Sequence, residues 1–152
     1  MSMNDIKKKY IKTFFYKRNT EIPLIISRNI KEGIKEGDTI RFFGVLYKDN
    51  KYTKEIAKTI IDYKIIQITS SGVVIETINK YIFEDKSTLK LKGKIFSSNF
   101  NVTNNKVNAY KSEMNFLLVT KGTQQFENSI GHASYFINNG IGIIKLNINL
   151  IS

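Results

Sequence analysis

At 152 residues, with no cysteine and a single histidine, the chain excludes a disulfide framework, thiolate chemistry and any mechanism that needs a histidine pair. Its net charge of +11 would suit nucleic acid or an anionic surface, but the lysines are scattered among abundant Asn and Ile without a compact basic cluster, so nucleic acid is a disfavoured partner. The length fits one domain over residues 1–152. No run of eighteen apolar residues marks a transmembrane segment, and the first fifteen residues, MSMNDIKKKYIKTFF, lack the apolar core of a secretion signal, so the expected location is the cytoplasm.

Taken in order, the chain reads as short runs rich in Ile, Val, Thr, Tyr and Phe, broken by Gly, Asn, Asp and Ser, with weak helical periodicity. Residues 9–16 form a first predicted strand, followed by an irregular connection containing Pro23 and a charged loop over 31–37. Residues 39–47 form a second strand, closed by the turn signal Lys48, Asp49, Asn50. Residues 59–69 and 73–83 flank Ser70, Ser71 and Gly72, which predicts a hairpin. Residues 87–96 alternate cleanly, with Leu89, Leu91, Gly93 and Ile95 opposing Lys90, Lys92 and Lys94, so one face is buried. A polar loop over 99–105 precedes strands at 113–120, 129–137 and 140–151.

These are about eight strands at the spacing of a sandwich or barrel, and closure into a barrel would remove exposed edges. In the last strand Ile141 and Ile143 oppose Gly142, Ile144, Leu146, Ile148 and Leu150, so its start is apolar on both faces and calls for a second cover such as a subunit neighbour. The segment LLVTKGTQQFENSIGHASYF predicts a hairpin corner: Gly122 and Thr123 end a strand, Phe126 tucks beneath as an apolar plug, and Gly131 sits where a side chain would meet a neighbouring backbone. His132, unique in the chain, falls in this corner and reads as a surface or interface residue.

Residues 118–133 of that segment resemble the "ITGGTGxFxGAxG" corner of allene oxide cyclases and dirigent proteins. Gly37-Asp38, Phe42 and Leu46-Tyr47 resemble the "GDxxxFxxxLYD" strand of the cyclases, and Leu91-Lys92-Gly93 their "xxVQGPY" segment. The resemblance implies an all-β, eight-stranded antiparallel β-barrel of the calycin type, usually trimeric, with a ligand cavity inside. Laid against the cyclase segment "VYEINERD", its carboxylate position becomes Lys17 while its asparagine survives as Asn19. A second asparagine becomes Gly44 and the cysteine has no counterpart, which counts against jasmonate-type cyclisation. Dirigent proteins often use cavity aspartates; Asp62 lies on a strand, but its parity leaves its face open.

The matched position of Gly44 faces inward in the family, which places Phe42, Gly44, Leu46, Ile61 and Ile65 on the cavity wall as substrate contacts. Asn19, Tyr63, Gln67 and Glu76 become the candidate catalytic groups. Each has a plainer reading: Asn19 as a turn cap, Tyr63 as a packing residue at the rim, Gln67 likewise, Glu76 in a subunit interface and Lys17 on the surface rather than a base. The expected function is a cofactor-free cyclase or isomerase that folds a flexible apolar substrate inside the barrel, with no metal and no cofactor. The alternatives are a binding barrel without catalysis and, further off, a basic surface binder; the expected assembly is a homotrimer.

Overall fold

The computed structural model describes residues 6–151, so residues 1–5, part of the stretch read for a secretion signal, lie outside the described residues, as does Ser152. Eleven strands follow in chain order: β1 (Ile6–Arg18), β2 (Ile25–Ile26), β3 (Thr39–Tyr47), β4 (Glu55–Thr69), β5 (Gly72–Phe83), β6 (Thr88–Ser97), β7 (Val102–Thr103), β8 (Lys106–Val107), β9 (Met114–Gly122), β10 (Ile130–Asn138) and β11 (Ile141–Ile151). The eight long ones form a single antiparallel sheet, closed where β1 pairs with β3 from Phe15↔Tyr47 to Arg18↔Gly44. The eight-stranded antiparallel barrel that the resemblance implied is thus present, and of the sandwich or barrel that the strand spacing left open it is the barrel. Its first strand and the one at 55–69 are longer than their apolar runs, because ladder hydrogen bonds continue through polar residues at the strand ends.

Beyond Gly44 the edge of β3 is taken over by β2, with Ile25 opposite Arg41 and Ile26 opposite Ile40. The register gathers the ends of β1, β4, β6 and β10 at one end of the barrel, here the mouth, and the ends of β3, β5, β9 and β11 at the other, the base.

The two ends are closed differently. At the base a short 3-10 turn, Gln124–Phe126, drives Phe126 beneath the barrel as the sequence predicts, where its ring meets Tyr10 at 5.2 Å and Phe83 at 5.0 Å. Burying such a ring contributes about 1.5–3 kcal/mol. Gly131, the second residue of β10, has a positive φ of 152° and the Asn147 carbonyl oxygen only 2.3 Å from where a Cβ would stand, so this strand crossing admits no side chain.

At the mouth, segment 98–113 folds across the opening and sends Phe100, Val102 and Tyr110 into the core, beside Ile30. The polar loop predicted at 99–105 is in part a miniature ribbon, β7 with β8. Its two-residue turn, Asn104-Asn105, has φ of 50° and 60°, a hairpin conformation that Asn tolerates. Asn105 fastens the ribbon: its Oδ1 accepts the Ile30 N–H at 2.7 Å and its Nδ2 donates to Asn29 Oδ1 at 2.7 Å.

Inside the barrel the alternating residues of each strand interdigitate, so that Phe42 is 3% and Leu46 0% exposed. Among the described residues no helix is long and apolar enough to cross a membrane.

Candidate functional site

The barrel interior is not uniformly apolar. Strand parity carries Thr59 and Tyr63 of β4, Thr77, Asn79 and Tyr81 of β5, Tyr16 of β1 and Tyr135 of β10 inward, and the mouth segment adds Tyr110 from above. The Tyr63 hydroxyl lies 2.7 Å from that of Tyr110 and 2.8 Å from that of Tyr135. Alongside, Thr77 Oγ1 donates to Asn79 Oδ1 at 3.0 Å, and Asn79 Nδ2 donates to the Tyr81 hydroxyl at 2.8 Å. The hydroxyl of Thr59, cross-strand from both Tyr81 and Gly44, is buried beside the Tyr16 phenol.

Five buried tyrosines therefore share one core. Burial, and after it the proximity of other phenols, pushes Tyr16, Tyr63 and Tyr135 well above the usual tyrosine range; burial also raises Tyr81 and Tyr110. The Arg18 charge draws Tyr16 and Tyr110 back only in part. Such groups are neutral donors: they can polarise a carbonyl or stabilise a developing oxyanion, but they are poor bases.

No carboxylate shares that core among the described residues. The one buried acid, Asp38, sits in the connection before β3, where it takes a two-pronged ion pair from Arg28 at 2.7 and 2.8 Å.

Arg18 links the core to the outside. Its guanidinium stands over the Phe42 ring at 5.8 Å, and the same side chain lines an open cleft of about 810 Å³ at the mouth. The cleft lies between the 20–29 connection, with Ile22, Pro23, Leu24 and Ile26, and the ribbon turn, with Asn105, Lys106 and Val107.

The predicted residues divide into three groups. Tyr63 stands at the hub of the hydroxyl cluster. Phe42, Leu46, Ile61 and Ile65 face inward as expected, yet they are packed against one another and do not wall an open cavity. Gly44 also faces inward, but a Cβ there would lie 2.6 Å from the Tyr16 ring, so the glycine's role is to let that ring cross β3.

Three placements correct the expectation. Gln67 is exposed and turned outward, because a β-bulge between Ile65 and Gln67 reverses the parity of β4 and pairs Gln67 with outward Val74. Glu76 faces outward on β5, with Lys92 Nζ at 3.7 Å. Asn19 stands beyond the end of β1, where its Oδ1 accepts the Glu21 N–H at 3.0 Å, so it stabilises the turn and does not reach the core. Lys17 is exposed over the Tyr52 ring, and Asp62 is held outside by Arg41 at 2.7 Å.

The sequence reading missed Tyr16, Tyr81, Tyr110, Tyr135 and Asn79. A signal was present for two of them: Thr77, Asn79 and Tyr81 share parity with Ile75 and Phe83, which puts polar side chains on an otherwise apolar face. Tyr110, in a loop without periodicity, carried none.

No family model matches the sequence, and no curated protein matches it. Solved structures do match in fold. A structure described as pyocyanin demethylase aligns with a TM-score of 0.64 at 14% identity, covering 92% of this chain and 100% of that one. A pterocarpan synthase dirigent protein aligns with a TM-score of 0.68 at 12% identity, covering 100% of this chain and 93% of that one. The chain shares the eight-stranded barrel fold of these two structures.

Proposed function

We propose that this barrel handles a small, largely apolar molecule carrying a carbonyl or hydroxyl oxygen, and that it acts as a cofactor-free isomerase or cyclase. The observation that carries the reading is the phenol cluster of Tyr63, Tyr110 and Tyr135 at the barrel centre, one member of which comes from the mouth segment and not from a barrel strand. Withdrawal of Tyr110 exposes the Tyr63 and Tyr135 hydroxyls to an incoming oxygen. Two neutral donors then stabilise negative charge as it develops there, while the aromatic walls fix the conformation of the carbon chain. The names of both similar structures, a demethylase and a synthase, speak for small-molecule chemistry on this fold.

A second reading, a barrel that only binds its ligand, is favoured by the absence of a carboxylate base among the described core residues. A turnover assay over a panel of polyene and epoxide substrates separates the two. Catalysis predicts product formation that falls at least tenfold in Tyr63→Phe with binding retained. Saturable binding without product in the parent protein leaves the carrier, and neither binding nor product removes both.

For assembly we propose a homotrimer. The outer face of β9, β10 and β11 carries Phe116, 55% exposed, Leu118, 54%, and Phe136, 45%, with Phe136 in register with Ile143 and His132 stacked on Phe116. These exposed apolar side chains, interrupted at Ser134 and Lys145, support burial against a second copy.

A further inference from the structure

We infer that the mouth cleft is a carboxylate subsite: it holds the acid head of an amphipathic ligand between Arg18 and Lys106 while the ligand's apolar part covers the opposite wall. The inference rests on the small-molecule reading above and names the chemical class that reading leaves open.

Three cations line the cleft, Arg18, Arg28 and Lys106, and no carboxylate does. Arg28 is already neutralised, with Nε and Nη2 on the two oxygens of Asp38 and a further bond to the Gly33 carbonyl. Arg18 and Lys106 have no carboxylate within 4.0 Å among the described residues. They approach from different elements, Arg18 from the end of β1 and Lys106 from β8 beyond the ribbon turn, so an anion between them would join the barrel wall to the segment that closes the mouth.

Arg18 is also pre-placed. Its backbone N–H donates to the Gly140 carbonyl at 2.9 Å, and its guanidinium rests over the Phe42 ring at 5.8 Å, which reduces the side-chain entropy lost on binding. A planar guanidinium matches the two oxygens of a carboxylate, and an ammonium supplies a third donor.

The remainder of the cleft selects against a bare anion. Ile22, Pro23, Leu24 and Val107 line it, and an inorganic ion would leave them uncovered. A carboxylate with an aliphatic or aromatic body meets both requirements, its head on Arg18 and Lys106 and its body on Ile22, Pro23, Leu24 and Val107.

The test is calorimetric titration of the full chain with decanoate, decanol and inorganic phosphate, with backbone amide shifts locating the site. The expected result is saturable decanoate binding at least tenfold tighter than decanol, no saturable phosphate binding, and shifts centred on Leu24, Ile26 and Val107. Lys106→Gln, an exposed change that leaves the core intact, should weaken decanoate at least threefold and leave decanol unchanged; Lys92→Gln, on the outer wall, should change neither. Equal affinity for decanol and decanoate overturns the subsite while leaving a small-molecule barrel standing. Phosphate binding as tight as decanoate overturns the apolar wall, and shifts centred on Phe116 and Phe136 move the binding to the outer face and overturn the inference. Absence of binding by all three also overturns it, while the turnover panel independently decides the barrel reading.

Discussion

At the scale of single residues, the core stands out for holding five neutral phenols where barrels of this size commonly hold aliphatic layers. Each phenol has a folded-state pKa above the ordinary value near 10, so the folded form retains its proton more strongly than the unfolded chain. The sign follows by linkage: their contribution to stability is complete below about pH 10 and declines as pH rises above it. Absorbance at 295 nm should therefore report the five core tyrosines ionising in one step, together with loss of far-ultraviolet circular dichroism; ionisation of all eight before that loss would contradict it. Tyr63→Phe tests the hub itself. It leaves Tyr110 and Tyr135 each short of a partner, and a loss of about 1–3 kcal/mol in denaturant unfolding is expected.

Elements show where sequence reading succeeds and where it stops. Strand β6 was legible because Leu89, Leu91, Gly93 and Ile95 alternate with lysines, and the corner at 122–131 because its glycines and Phe126 have few other structural uses. Gln67 was misplaced because an extra residue in β4 reverses parity while the run Ile65, Ile66, Gln67, Ile68 remains apolar on both faces, so composition gives no sign of the slip. Fold resemblance likewise pointed to an open cavity, whereas filling depends on side-chain volumes summed across eight strands, which no single segment contains. The mouth ribbon escaped because two residues per strand offer no period to read. That ribbon is tied to residues 30–33 by backbone bonds and by both ends of the Asn105 amide, and Asn105→Ala should loosen it locally. Hydrogen exchange in residues 98–112 is expected to rise at least tenfold while exchange in β4 and β5 stays unchanged; uniform acceleration throughout the barrel would show that the ribbon is integral to the fold.

For the whole molecule, the outer apolar face gives the assembly prediction. Phe136→Asp places a charge at the middle of that face without touching the core, since neighbouring Tyr135 and Ile137 point inward. Sedimentation should show a trimer for the parent protein and a monomer for the variant, with unchanged circular dichroism; a parent monomer at micromolar concentration would remove the proposal.

Closure of the barrel also joins distant parts of the chain. Strand β1 pairs with β11 along nearly its full length, Phe14 with Ile144 among others, whereas its contact with β3 covers only four pairs. During synthesis the ladder from β3 to β6 can form early as a meander of neighbours, but the first strand keeps most of one edge unsatisfied until the last strand has left the ribosome. Folding is then limited by a long-range search, and its rate should follow the high contact order typical of closed β-structures. Until that search ends, the free edge of β1 is open to the same strand of another chain, so crowded synthesis favours exchange of β11 between copies over simple misfolding.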